Sequence, residues 1–348
     1  MPRGGKKAGT RDLVSRERLS ALCNFLRTDR KLSVRACLYR LSAMTRPGST
    51  EKLYPGTDSN SYRSLKQLIR TARISGELDE RLGCVMDDCF IDNKRVLLPG
   101  ETEGWATIDQ YMGPSDPRYY RRNPWQDQAD RIQVWLEKDT LAGLIRSVCS
   151  TWDVSQVISM GGFGRTLLLR TADRIADPWP EGSKSASGRT YIFYVGDFDP
   201  SGLAIEKWAQ RGNDGDGNRR TEGLLDIMVN RHQWTRKEYE RRIIVKRIAV
   251  TADYFLNNPQ LEEFKISIKD AGYDEETGAC KTGHDPRAED YKKLYGDKCL
   301  EAEALEVLND GEISTRLDVA IQSVIDMDAW AANDRRQRRE IRKWLMAH

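Results

Sequence analysis

The chain has 348 residues, 31% of them charged and 39% hydrophobic, with 56 Lys and Arg against 53 Asp and Glu. That length can carry two separate cores, and that balance describes a folded polar protein, not a disordered or fibrous one. No run approaches the roughly 18 apolar residues that span a bilayer, and "MPRGGKKAGTRDLVSRERLS" lacks a hydrophobic signal core. The expectation is a cytoplasmic protein with no membrane segment.

Seven cysteines (Cys23, Cys37, Cys84, Cys89, Cys149, Cys280, Cys299) are scattered and odd in number. They read as reduced thiols acting as small core hydrophobes. Cys280 and His284 have loose ligand-like spacing, but no second pair completes a zinc site. The net charge of +3 is small, yet it is unevenly spread. "RGGKKAGTR", "RYYRRNPW" and "RRQRREIRKW" are basic, while residues 195–230 and 260–310 hold much of the acid. One such run is ordinarily a solvated face; three in a near-neutral chain point to a localised phosphate-binding surface.

In chain order, residues 1–19 read as a basic, disordered tail. "RERLSALCNFLRTD" then repeats apolar residues at helical spacing, and "LSVRACLYRLSAM" follows with Ser33 as N-cap and Val34, Leu38 and Leu41 on one stripe. After the break "PGTDSN", "SYRSLKQLIRTARISGEL" forms a third helix closing near Gly76. Its apolar stripe leaves Arg63, Lys66, Arg70 and Arg73 aligned on another face. "CVMDDCFI" and "RVLLP", joined through Asp92-Asn93, read as a hairpin. Three helices and a hairpin over residues 20–105 is the pattern of a winged helix, whose third helix enters the DNA major groove. The alternative is a small helical domain with a solvated basic face.

Residues 106–130, rich in Gly, Pro, Asp and Trp, read as a linker with a knot at Tyr119, Tyr120, Arg121 and Arg122. From residue 131 strands and helices alternate: "IQVWL" before "EKDTLAGLIRSVCS", "QVISM" before "GGFGRTLLLRTADRIA", "TYIFYV" before "GDFDPSGLAIEKWAQ", then "RIIVKRIAV". That series predicts a mainly parallel sheet covered by helices. Residues 131–255 form this α/β domain, and 256–348 extend it with mixed acidic, then basic-helical, sequence.

Ligand sites in such sheets lie beyond the carboxyl ends of the strands. Glu137 follows one strand, and Asp197 and Asp199 follow another, on the same side because strand side chains alternate. If those strands are neighbours, three carboxylates converge, and their mutual repulsion is relieved by a hard divalent cation such as Mg²⁺. The other readings are that Asp199 caps the following helix and Asp197 lies in solvent.

"VWLEKDTLAGLI", "ISMGGFGRTLLL" and "YVGDFDPSGLAI" together resemble a Toprim domain, the metal-binding fold of topoisomerases, bacterial primases and some nucleases. With a winged helix in front, the order is similar to that of the topoisomerase VI A subunit and its relatives, across roughly residues 20–255 and on to "CLEAEALEVL". The resemblance implies that Glu137, Asp197 and Asp199 hold Mg²⁺ and that Lys138 touches phosphate. It also implies that Gly162 and Gly164 let backbone approach the nucleic acid, and that Tyr39, with Arg35 one turn before it, attacks DNA. A phenol of ordinary pKa near 10 needs such help. The pattern departs at Ala36, where cleaving members of the family carry an acid.

The function implied is Mg²⁺-dependent binding and cleavage of double-stranded DNA through a phosphotyrosyl link. A homodimer would be the working form, with a separate ATPase B-like subunit as a further partner and association with the nucleoid. The alternatives are a Toprim nuclease using water and a non-catalytic DNA-binding module.

Overall fold

The computed structural model describes residues 13–28, 34–74, 77, 96–98, 108–111, 116–160, 162–177, 188–212, 221–268 and 286–347. They divide into two units, residues 1–93 and 94–348.

In the first unit, helices α1 (Leu13–Thr28), α2 (Val34–Ala43) and α3 (Ser59–Ile74) each bury one stripe. Leu19, Leu22 and Leu26 meet Leu38, Leu41, Leu65 and Ile69, with Leu53 and Tyr54 from the α2–α3 connection closing the core. The tail expected through residue 19 is corrected here, because α1 starts at Leu13 and Leu19 is fully buried. Basic residues do not prevent this: Arg18 lies over the Tyr54 ring at 4.1 Å and donates to the Leu53 carbonyl at 2.6 Å, so its charge is held by a ring face and a carbonyl. Asp58 caps α3, accepting from the amides of Asn60 (2.7 Å) and Ser61 (3.1 Å). Ser33, "CVMDDCFI", and the Cys280–His284 pair fall outside the described residues.

The second unit is built on a five-stranded sheet. Its strands are β1 (Val96–Leu98), β2 (Arg131–Leu136), β3 (Ser155–Ile158), β4 (Thr190–Val195) and β5 (Ile243–Arg247), in the order β1-β3-β2-β4-β5. β3, β2, β4 and β5 run parallel, and β1 pairs antiparallel with β3. The described part of "RVLLP", Val96–Leu98, is therefore an edge strand of this sheet, and the expected domain boundary at 105 moves to residues 93/94. Three apolar residues satisfy the free edge of β3 there.

Both faces of the sheet are covered, as a parallel sheet requires. Val134, Leu136, Phe193 and Val195 join one core; Trp135, Ile192 and Tyr194, one residue out of phase, join the other. Helix α4 (Thr140–Thr151) lies on the first side, and α5 (Arg165–Ala176) and α7 (Leu224–His232) on the second. Between α5 and α7 in sequence, α6 (Pro200–Arg211) follows β4 directly.

The described helices Pro286–Tyr295 and Glu312–Gln322 pack into the first core. Ala288 and Tyr291 of the helix Pro286–Tyr295, and Ile313, Leu317 and Ile321 of the helix Glu312–Gln322, are buried in it. The final helix, Met327–Ala347, meets the stretch expected as a linker. Tyr120 and Arg122 are buried there, so residues 116–130 are packed structure and that expectation is corrected. Arg122 pairs with Asp127 (2.6 Å) and Glu340 (3.2 Å) and donates to Asn333 (2.9 Å). Among the described residues no helix is long and apolar enough to cross a membrane. The cysteines described, Cys23, Cys37, Cys149 and Cys299, are buried thiols in no disulfide.

Removing Arg122 would leave Asp127 with Arg336 alone and Glu340 with only the Tyr120 hydroxyl. Arg122→Ala is expected to destabilise the protein by about 3 kcal/mol, read as a lower urea midpoint.

Candidate functional site

β2 and β4 are immediate neighbours in register, Leu136 opposite Val195. One residue further, the Glu137 amide donates to the Val195 carbonyl at 3.1 Å, so the two strand ends stay aligned as they leave the sheet. The condition set by the sequence is met. Glu137 is 5% exposed, and its Oε2 accepts from the Asp197 amide at 3.0 Å and the Tyr194 hydroxyl at 3.2 Å.

Two glycines make room for this. A Cβ on Gly196 would lie 2.6 Å from Glu137 Oε2. One on Gly202 would lie 2.3 Å from the Asp197 carbonyl oxygen and 2.9 Å from the same Oε2. Side chains at either position would drive the glutamate out.

Asp197 is buried, which rules out the reading that left it in solvent. Its Oδ1 accepts from the Ala302 amide at 2.9 Å and its Oδ2 meets Lys138 Nζ at 2.7 Å. Asp199 does cap α6, accepting from the Gly202 amide at 2.6 Å. Capping uses one of its oxygens, so the cap and a metal are not exclusive alternatives. Between them Phe198 turns the other way into the core, stacked on Phe255 with centroids 4.6 Å apart. Its backbone exchanges two hydrogen bonds with Leu300, at 2.8 and 3.0 Å.

Burial, then the charges of Asp197 and Asp199, push the Glu137 carboxyl up to about 7. Burial also raises Asp199, although the Gly202 amide opposes it. For Lys138, burial works against the ammonium, but the ion pair with Asp197 outweighs it and the pKa is raised.

Among the described residues no three His, Cys, Asp or Glu side chains are gathered closely enough to enclose a metal ion. Lys138 Nζ supplies the positive charge, also lying 3.5 Å from Glu303. The donor set fits a hard cation in chemistry, being all carboxylate and short of positive charge, and such a cation would enter by displacing the ammonium.

Gly162 and Gly164 lie in the turn between β3 and α5, Gly162 with φ of 149° and Gly164 as the cap residue of α5. That turn leaves the same sheet edge, where the Ser159 hydroxyl donates to the Glu137 carbonyl at 3.1 Å. Sequence reasoning missed Tyr194 and Arg247, and took in the 300–303 segment only as part of the resemblance, with no role at the site. Arg247 clamps the loop by donating to the carbonyls of Gly196 (3.0 Å) and Asp197 (2.9 Å) while paired with Glu206. Its signal was a charged residue inside an apolar strand. Glu301 and Glu303 were visible only as acids in "CLEAEAL".

In the other unit, Tyr39 is 58% exposed on α2. Arg35 is exposed on the same helix, but its guanidinium lies over the Tyr62 ring at 4.2 Å and donates to the Thr57 carbonyl at 3.1 Å. Arg63 and Lys66 are exposed on α3, Arg70 is half-buried, and the Arg73 side chain falls outside the described set. Neither the protein-family models nor the curated proteins contain a match to this chain.

The raised Glu137 carboxyl fixes a pH dependence. Because the folded state holds its proton more tightly than the unfolded chain, the contribution to stability is full below about pH 4.5 and is lost as pH rises through about 7. Without divalent metal this amounts to about 3 kcal/mol. Glu137→Gln, which keeps an acceptor for Tyr194 and the Asp197 amide, is expected to flatten the fall. Thermal unfolding in EDTA from acid to pH 8 measures it.

Proposed function

We propose that this chain is a Mg²⁺-dependent DNA-binding and DNA-cleaving protein of the topoisomerase VI A type, a winged helix followed by a Toprim domain. The observation that carries the reading is the placement of Glu137 directly after β2 and of Asp197 and Asp199 directly after the neighbouring parallel strand β4, with the Asp197 amide bound to Glu137 Oε2 and the charges of both aspartates pushing the Glu137 carboxyl up. The motifs "EKD" and "GDFDPSG" resemble that family at these positions.

Glu137, Asp197 and Asp199 would hold the ion. Once bound, Mg²⁺ supplies charge stabilisation at the scissile phosphate. Lys138, released from Asp197, is left beside the carboxylates with a charge to offer a phosphate oxygen. Arg63 and Lys66 on α3 supply exposed charge for the DNA backbone.

Tyr39 is the nucleophile. Its phenolic oxygen, after losing its proton, attacks phosphorus; the bond to the 3′ oxygen breaks, and that oxygen takes a proton to leave as a 3′-hydroxyl. The exposure of Tyr39 supports access to DNA. In the family it resembles, tyrosine and carboxylates of one site come from two protomers, so a homodimer belongs to the proposal. The sequence holds no recognisable ATPase motif, and strand passage would draw on a separate B-like subunit.

A second reading, hydrolysis by water at the same carboxylates, is favoured by two observations. Ala36 replaces the family's acid, and Arg35 is engaged with Tyr62 and Thr57, not with Tyr39.

Supercoiled plasmid incubated with protein and Mg²⁺, stopped with detergent and split with and without protease, separates these readings. The expected result is breaks whose ends carry protein until protease is added, absent in Tyr39→Phe. Asp199→Asn, which preserves the helix cap, should abolish cleavage. Free-ended breaks that survive Tyr39→Phe would establish the hydrolytic enzyme instead, and no breaks in any form would sink both.

A further inference from the structure

Two of the three basic runs, far apart in sequence, meet in the structure. The Arg122 amide donates to Gln337 at 2.9 Å across 215 positions, bringing "RYYRRNPW" against "RRQRREIRKW" on the helix Met327–Ala347. The inward members are neutralised. Arg122 takes Asp127 and Glu340, Arg336 pairs with Asp127 as well, and Glu340 also accepts from the Tyr120 hydroxyl at 2.5 Å.

The outward members are left without acids. Arg335, Arg338, Arg339, Arg342 and Lys343 are all exposed, at spacings of three, one, three and one, which puts them on one face of the helix. None of the five makes an ion pair among the described residues. Asp334 stands at the head of the stripe, and Glu340, the one acid within it, is already engaged. Arg121 and Tyr119, the latter 71% exposed, sit on the turn packed against the same helix.

The apolar residues of the first turn are already used, whereas Leu345 and Met346 at the far end of the helix are exposed. Ala329 is buried, and the Trp330 ring lies 5.6 Å from Trp125 and 5.2 Å from Trp152, centroid to centroid. What remains to offer a partner is chiefly positive charge on a helix held in place beforehand. From residue 335 to 343 the helix rises about 12 Å, the axial span of three or four phosphates on one DNA strand. Four of the five cations are arginines, whose planar fork suits phosphate oxygens.

We propose that the outer face of this C-terminal helix is a second DNA-binding surface, contacting the phosphate backbone of duplex DNA without reading its sequence. It rests on the DNA-binding reading above and adds a contact remote in sequence from the α3 basic edge. Bound this way, DNA gains affinity and salt dependence and no base preference.

The test is the affinity of the full chain for a short fluorescent duplex in EDTA, across a series of KCl concentrations. Replacing Arg338, Arg339, Arg342 and Lys343 together by Gln should weaken binding by about 10-fold or more near physiological salt. It should also reduce the slope of log affinity against log salt by about 0.9 for each phosphate that is no longer neutralised. Replacing the three arginines by Lys should keep most of the slope. Thermal unfolding checks that the Gln variant is folded; if it is not, Arg339→Gln with Arg342→Gln repeats the measurement.

Unchanged affinity and slope in a folded Gln variant overturns the proposal. Loss of binding in the Lys variant as well overturns the backbone-charge account. Because metal is absent and no cleavage is read, failure of the cleavage reading leaves a positive result standing. Intact plasmid cleavage with unaltered duplex affinity removes this surface alone.

Discussion

The parallel pairing of β2 with β4 is the constraint on which the rest of the second unit depends. It aligns Leu136 with Val195, and one further backbone hydrogen bond carries that alignment past the sheet to Glu137. From there the chain must place a glutamate against the backbone of residues 196–202. Gly196 and Gly202 are the residues without side chains at that contact. The result is a carboxyl group buried beside two others, which water would otherwise have separated. The electrostatic cost is met locally by Lys138 and by the amides of Asp197, Gly202 and Ala302. The same pairing fixes both cores, since alternate residues of β2 and β4 supply opposite faces of the sheet.

A charge-neutralising lysine in a carboxylate site has two physical roles that need not conflict. While it faces Asp197 it keeps the folded state from accumulating uncompensated negative charge. Under the proposed reading, a metal that displaced it would leave a cation on a flexible stem beside the carboxylates. The neighbouring Glu303 extends the pull on it, so its resting position is shared between β4's loop and the C-terminal extension. Arg247 does not have this freedom. Its guanidinium is spent on two carbonyls and Glu206, and it serves to hold the loop in place.

Much of this was legible in the sequence because it rests on local period. Strands of five or six apolar residues, helices with apolar stripes, and acids placed directly after strands all declare themselves within short windows. The three carboxylates were found that way, and their adjacency needed only β2 and β4 to be neighbours. What escaped depends on contacts distant along the chain. "RVLLP" is equally a wing strand or a sheet edge by composition, and only its partner at β3 decides. Tyr120 and Arg122 read as linker because the acids that bury Arg122 include one 218 positions away. The first tail residues read as disordered because their basic character is conspicuous, while the leucine at 19 that buries against α2 and α3 is a single letter. Lone residues at long range carry no periodic signal.

Phe198 gives the site its less obvious dependence. Its side chain is locked into an aromatic group with Phe255, Tyr291 and Tyr295, and its backbone is hydrogen-bonded on both sides to Leu300. The amide two residues beyond Leu300 is the one that holds Asp197 Oδ1. A fragment ending at residue 255 therefore contains every carboxylate of the centre, yet lacks the partner strand, two of the rings and the amide that fix the middle one. The carboxylate cluster thus depends on more of the chain than the two motifs that supply its acids, and the amide that fixes Asp197 comes from Ala302, more than a hundred residues further on.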